Sequence, residues 1–314
     1  MKKLKITFLF LIFLSLYGFS QQDPVSSQYM FNTMCYNPGV AGISGMICAT
    51  AMTRQQWVGF KGAPSTTSFA VSSPLKLFNI ESGVGLVVQS DNTGFDKDIT
   101  LEGTYSYLMD VGPGKLGIGI MMGMLDAALS PSWQIPSGDS FVPASGDPLI
   151  PENKESYVAF DASLGAYYKT DKYYGGLSVT HITQPKIKYS KGTPYVSRNY
   201  YLTGGYNIQL NNPSYELLPS VLVFSDGKVL QATVNATVRY NKKAWGGISY
   251  RAGDSVIGMI GFELFNGIRI GYSYDFPLTD VRKSTTGSHE FIVNYCFDLN
   301  MGKSPMRYKS IRFL

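Results

Sequence analysis

Residues able to do chemistry are few and scattered along this chain. It has two histidines, His181 and His289, whereas a zinc site usually gathers several His, Cys or carboxylate ligands into a tight set. His181 ends a strand-like stretch just before Gln184-Pro185, and His289 opens another beside Glu290. Both read as hydrogen-bonding residues at a rim. Cys35, Cys48 and Cys296 are an odd number at wide spacing, which is no disulfide framework. Cys48 and Cys296 fall on predicted strands and read as small apolar side chains. A Cys35–Cys48 bridge in an oxidising compartment stays open as an alternative. Gly112-Pro113-Gly114-Lys115 lacks the spacing of a phosphate loop and is explained by a hairpin turn. No Gly-x-Ser-x-Gly elbow occurs. The expectation is a protein without catalytic residues, cofactor or metal.

Side chains suited to binding are easier to find. Trp57, Val58 and Phe60 lie in one loop, and Trp133 and Phe141 stand among five prolines in the long loop Ala127–Glu155. Apolar groups on a loop either fold over an opening or meet a partner, and Trp is a good interface anchor. The sequence leaves those two readings level. Residues 299–314 carry Lys303, Arg307, Lys309 and Arg312 with no acid. This basic tail reads either as a contact for anionic lipid or as a docking element.

The elements that must position these residues are about fourteen short alternating segments after residue 46, joined by turns that alternate short and long. Short turns sit at 110–114, 170–172, 211–213, 241–243 and 265–267; longer ones sit at 54–65, 90–97, 127–155, 183–197 and 276–288. Tight turns on one side and long loops on the other are the rhythm of an outer-membrane β-barrel. Many segments run about 9–12 residues, which suits a tilted strand crossing the hydrocarbon layer. In 231–240, Ala232, Val234, Ala236, Val238 and Tyr240 share one face, with Gln231, Thr233, Asn235, Thr237 and Arg239 on the other. Residues 267–275 put Arg269, Ser273 and Asp275 opposite four apolar or aromatic residues, and 288–298 put Glu290 and Asn294 opposite Phe291, Val293, Tyr295 and Phe297.

The predicted fold is therefore all-β, a closed antiparallel transmembrane β-barrel of about 14 strands spanning 46–298. An open edge in lipid would leave backbone groups unpaired at several kcal/mol each. An even strand number also returns both termini to the periplasm. A secreted β-sandwich would alternate too. It fits poorly with 22 Tyr, a load that suits aromatic girdles at two interfaces, and with the charged second face bearing Arg239, Glu263 and Arg269.

Residues 1–20 read as a signal peptide. Lys2, Lys3 and Lys5 precede an apolar run from Ile6 to Tyr17, and cleavage is expected before Gln21. Residues 21–45 form an N-terminal segment without strand character, placed below or inside the barrel. The net charge of +5 falls to +2 without the leader's three Lys, and setting aside the four basic residues of 299–314 leaves residues 21–298 near −2. That balance offers no footprint for nucleic acid.

Gln22-Asp23-Pro24, Ser27-Gln28-Tyr29-Met30-Phe31-Asn32 and Asn37-Pro38-Gly39-Val40-Ala41-Gly42 resemble the opening of the PorP/SprF family of outer-membrane proteins. So do Arg54 to Pro64, Trp245 to Arg251, Gly271 to Phe276 and Gly287 to Glu290 at later positions. The resemblance implies a structural barrel of the type IX secretion system of Bacteroidetes. It implies partners of three kinds: a secreted adhesin with a C-terminal sorting domain, secretion or gliding-motor components, and a periplasmic peptidoglycan-binding protein. On this reading Trp57, Phe60, Trp133 and Phe141 are candidate outer contacts, and Arg307, Lys309 and Arg312 candidate periplasmic contacts. The competing reading is a diffusion channel, its wet pore lined by Arg239, Glu263, Arg269 and Asp275.

Overall fold

A computed structural model describes residues 23–131, 153–264 and 267–298. Fifteen β-segments are present: β1 Ile47–Gln55, β2 Ser65–Leu77, β3 Ile80–Thr93, β4 Asp96–Val111, β5 Gly114–Leu129, β6 Glu155–Lys169, β7 Tyr173–Thr180, β8 Asn199–Tyr206, β9 Ile208–Gln209, β10 Tyr215–Ser225, β11 Leu230–Tyr240, β12 Ala244–Arg251, β13 Ser255–Glu263, β14 Ile268–Pro277 and β15 Ser288–Phe297. The short β9 continues β8 past Asn207 along the same neighbour, β10, so the ring has fourteen strands. Each strand pairs antiparallel with the one before it, and β15 pairs with β1 from Ile47↔Phe297 to Gln55↔His289. Closure satisfies every ladder that an open sheet would leave bare in hydrocarbon.

The period-2 pattern sets the two faces. In β13, Ser255, Ile257, Met259 and Gly261 point inward while Val256, Gly258, Ile260 and Phe262 point out. Leu101, Ile118, Phe160, Leu177 and Val234 are likewise exposed on the outer wall, where hydrocarbon covers them. Tyr173 stacks on Tyr206 and Tyr215 packs on Tyr240 near the short turns. Tyr272 packs on Phe291 towards the other end. Part of the aromatic load departs from the girdle expectation, because Tyr29, Tyr36, Tyr167 and Tyr201 are buried inside the ring.

Two further expectations are corrected. Residues 90–97, read as a long loop, are mostly strand: β3 and β4 continue to a turn at Gly94-Phe95, with Gly94 at φ 62°. The polar run around Asp91, Asn92, Asp96 and Asp98 resembles loop composition, but β4 has 16 residues, more than the ~9–11 a membrane strand needs. Its excess stands in water, where polar side chains suit a strand. Cys48 and Cys296, read as small apolar side chains, are joined in a disulfide, and Cys35 is free. The two half-cystines face each other directly across the β1–β15 pair, a juxtaposition that only ring closure creates.

Candidate functional site, a segment locked in the lumen

Residues 23–45 lie inside the ring. Asp23 sits beside His181, just past the end of β7, and so at the end that carries the longer loops. From there the chain descends through two 3-10 turns, Thr33–Cys35 and Pro38–Val40, to the opposite end, where β1 begins. Strand parity places Ile47 and Phe297 at one end. It says nothing of a segment that crosses the lumen, so the first described residue stands at the other end from the one expected.

The upper part of the segment is held by charge. Ser26, Ser27 and Gln28 meet a buried cluster made by four strands. Arg54 of β1 pairs with Asp275 of β14 at 2.7 Å and with Glu290 of β15 at 3.2 Å, and Arg251 of β12 pairs with Asp275 at 3.2 Å and Asp254 at 3.1 Å. The Ser27 hydroxyl donates to Asp275 and accepts from both guanidinium groups, at 2.6 Å from Arg54 and 3.1 Å from Arg251. The Glu290 carboxylate accepts the backbone N–H of Ser27 at 2.8 Å and of Gln28 at 2.9 Å, and the Ser26 hydroxyl at 2.8 Å. Buried charges persist where they are paired and hydrogen-bonded, and here the segment supplies several of the bonds.

At the rim, Asp23 accepts from His181 Nε2 at 3.0 Å and from the Tyr201 hydroxyl at 3.2 Å, while His181 Nδ1 meets Asp161. Burial alone would lower the His181 pKa, but the charge of Asp23 and the bonds to Asp161 and Asp23 carry it well above the ordinary histidine value. Burial would likewise raise the Asp23 pKa; the His181 charge and hydrogen bonds from His181, Asn199 and Tyr201 bring it below the usual carboxylate value.

The lower part is held by shape. A Cβ at Gly83 would stand 1.9 Å from the Ala41 carbonyl oxygen, one at Gly117 2.1 Å from that of Gly39, and one at Gly119 2.4 Å from that of Pro38. Asn37 donates to the Ala166 carbonyl at 3.1 Å and to that of Leu177 at 3.3 Å, and its own oxygen accepts the Gly39 N–H at 3.0 Å. Between these layers, Tyr29 and Tyr36 pack with Tyr201, Leu222 and Phe224, and Met34 packs with Ala70, Val87 and Met121. Apolar side chains on the nominally polar lumen face are the sequence signal for this packing. Met52, Met121, Leu222, Ile257 and Ile292 all carry it.

The expected site residues are spread out. Trp57 is half-buried at φ 46°, its backbone N–H donating to the Ser288 hydroxyl at 3.1 Å; Phe60 is 53 % exposed at the loop end. Their loop is strapped to the β14–β15 connection through Val58 N–H on the Gly287 carbonyl at 2.8 Å and Thr286 N–H on that of Val58 at 2.9 Å. Trp133, Phe141, Arg307, Lys309 and Arg312 lie outside the described residues, as do the leader 1–20 and the tail 299–314. Arg239 pairs with Glu216, Arg269 with Glu263 at 2.9 Å, and Asp275 belongs to the buried cluster. His289 meets the Tyr272 hydroxyl at 2.8 Å.

A closed fourteen-strand ring with an apolar outer wall defines an outer-membrane β-barrel, here one whose lumen is filled by its own N-terminal segment. The model of a family described as "Type IX secretion system membrane protein PorP/SprF" matches residues 18–295. The chain belongs to this family. None of the curated proteins matches it. Among solved structures, it is similar to the CymD monoaromatic hydrocarbon channel, with 12% identity and TM-score 0.49 over 90% of this chain and 95% of that one. A Pseudomonas aeruginosa FadL homologue has 12% identity and TM-score 0.45 over 81% and 89%. BamA from Haemophilus ducreyi lacking POTRA domains 1–3 has 10% identity and TM-score 0.46 over 80% and 70%.

Proposed function

We propose that this barrel is a non-enzymatic docking body of the type IX machinery. It receives or anchors a secreted surface protein, an adhesin with a C-terminal sorting domain, at its loop end. Its short-turn end, facing the periplasm, meets secretion or gliding-motor components and a peptidoglycan-binding protein. The observation that carries this reading is the occupied lumen. A segment fixed by a buried ion cluster and by backbone contact with lumenal glycines leaves the barrel a rigid platform rather than a conduit. Exposed Phe60 beside half-buried Trp57 supports a partner-facing loop end. Trp133 and Phe141 extend that outer surface in the proposal, and Arg307, Lys309 and Arg312 serve the periplasmic side after the leader 1–20 is removed.

Two measurements test the proposal. Affinity purification from native membranes is expected to recover a large secreted protein together with secretion components; recovery of neither would overturn it. Planar-bilayer recording of the purified barrel is expected to be silent. A steady open-pore current would favour the diffusion channel instead.

A further inference from the structure

Above the locked segment, a cavity of about 360 Å³ remains open towards the loop end. Its mouth and wall carry Asp91, Asp96, Asp98 and Glu102, and among the described residues neither Lys nor Arg lines it. His181 does line it, but its charge is already matched by Asp23 and Asp161. Glu102 is the telling residue. It is 6 % exposed, it lines the cavity, and its carboxylate takes no hydrogen bond and no ion pair among the described residues. The Ser163 and Thr180 hydroxyls, both buried and lining the same cavity from β6 and β7, lack partners. A charged carboxylate on a residue this buried is costly without an ion pair, and among the described residues none is formed.

The chemistry of the missing group can be narrowed. Among the described residues no three His, Cys, Asp or Glu side chains stand close enough to share a metal ion, whereas calcium needs six to eight oxygen ligands. Apolar side chains stand beside the carboxylates: Met121 and Leu125 lie on β5, the strand paired with Glu102's own, and Ile187 and Tyr189 also line the cavity. Carboxylates set among apolar side chains suit a long side chain whose methylenes lie on the apolar groups while its charged head meets a carboxylate. We infer that the cavity is a receptor for Lys or Arg side chains of an extended basic segment in the secreted partner, inserted from the loop end, with one cationic head on Glu102 and a second, nearer the mouth, on Asp98. This inference rests on the docking role proposed above and gives that role its recognition chemistry.

The test uses the mature barrel in detergent and a fluorescein-labelled Arg-Gly-Arg amide, read by anisotropy, against the same peptide with citrulline in place of Arg. Binding is expected for the Arg peptide alone, weakened by raised salt. It is expected to weaken by about tenfold or more in Glu102→Gln and in Asp98→Asn. Equal binding of the citrulline peptide, unchanged binding by both variants, or no binding would overturn the inference. Heat-modifiable migration on gels confirms that each variant remains a folded barrel. Capture from native membranes separates the two claims. If wild type and Glu102→Gln recover the same secreted protein equally well, the docking role stands and the basic-segment receptor falls. If wild type recovers none while the Arg peptide binds through Glu102, the cavity's preference stands and the docking role falls.

Discussion

Ser27 touches all four of the charged groups Arg54, Arg251, Asp275 and Glu290. Removing its hydroxyl in Ser27→Ala strips a buried bond from both guanidinium groups at a cost of about 1–3 kcal/mol. Glu290→Ala should be worse, about 3–5 kcal/mol, because it leaves Arg54 with one counter-charge fewer and the Ser27 N–H unpaired. The thermal midpoint of the heat-modifiable band is expected to fall in that order. The rim pair adds a pH dependence. His181, raised on folding, contributes fully below the ordinary histidine value of 6.5, and its contribution fades as pH climbs through the elevated folded value. Asp23, lowered on folding, contributes fully above its ordinary 3.8 and fades as pH falls through the depressed value. Protease protection of residues 23–45 is therefore expected to be flat from about pH 4 to pH 6.5, to weaken in stronger acid, and to weaken in base. His181→Gln should remove the alkaline limb. Single residues were the least legible scale in the sequence. Arg54, Arg251, Asp275 and Glu290 each stand in a motif that carries the family resemblance, but Arg54 and Glu290 are 236 positions apart, and only the closed ring brings them together.

Individual strands were legible because alternation is a local property: one side chain in two must meet hydrocarbon, so β11, β14 and β15 declare their faces. The N-terminal segment has no such local rule. Its conformation follows from what surrounds it, and the residues that receive it are scattered glycines whose purpose appears only when Ala41, Gly39 and Pro38 are laid against them. A side chain on that track should expel the segment. Gly117→Val is expected to convert a silent barrel into a conducting one and to expose residues 23–45 to protease. Gly258→Val should do neither, since a Cβ there meets nothing within 4 Å. Equal behaviour of the two variants in bilayer recordings would show that the segment does not seal the lumen. The β3–β4 hairpin was misread for a related reason: its tip leaves the membrane, and composition there reports solvent rather than backbone geometry.

Across the whole molecule, strand number and closure followed from the turn rhythm and from the demand that no edge remain in lipid. The cross-link between the first and last strands did not. Wide spacing in sequence argued against pairing Cys48 with Cys296, yet the ring sets their Cα atoms 4.1 Å apart. The bond closes a covalent loop over 248 positions, so the unfolded chain is compact until reduced. Boiled protein is expected to run faster on a non-reducing gel than after dithiothreitol, a difference abolished by Cys48→Ser. Many barrels could in principle part their first and last strands to admit a foreign strand or release cargo sideways into the bilayer. This one is riveted across that seam near its short-turn end, so its first and last strands stay joined there for as long as the bond stands.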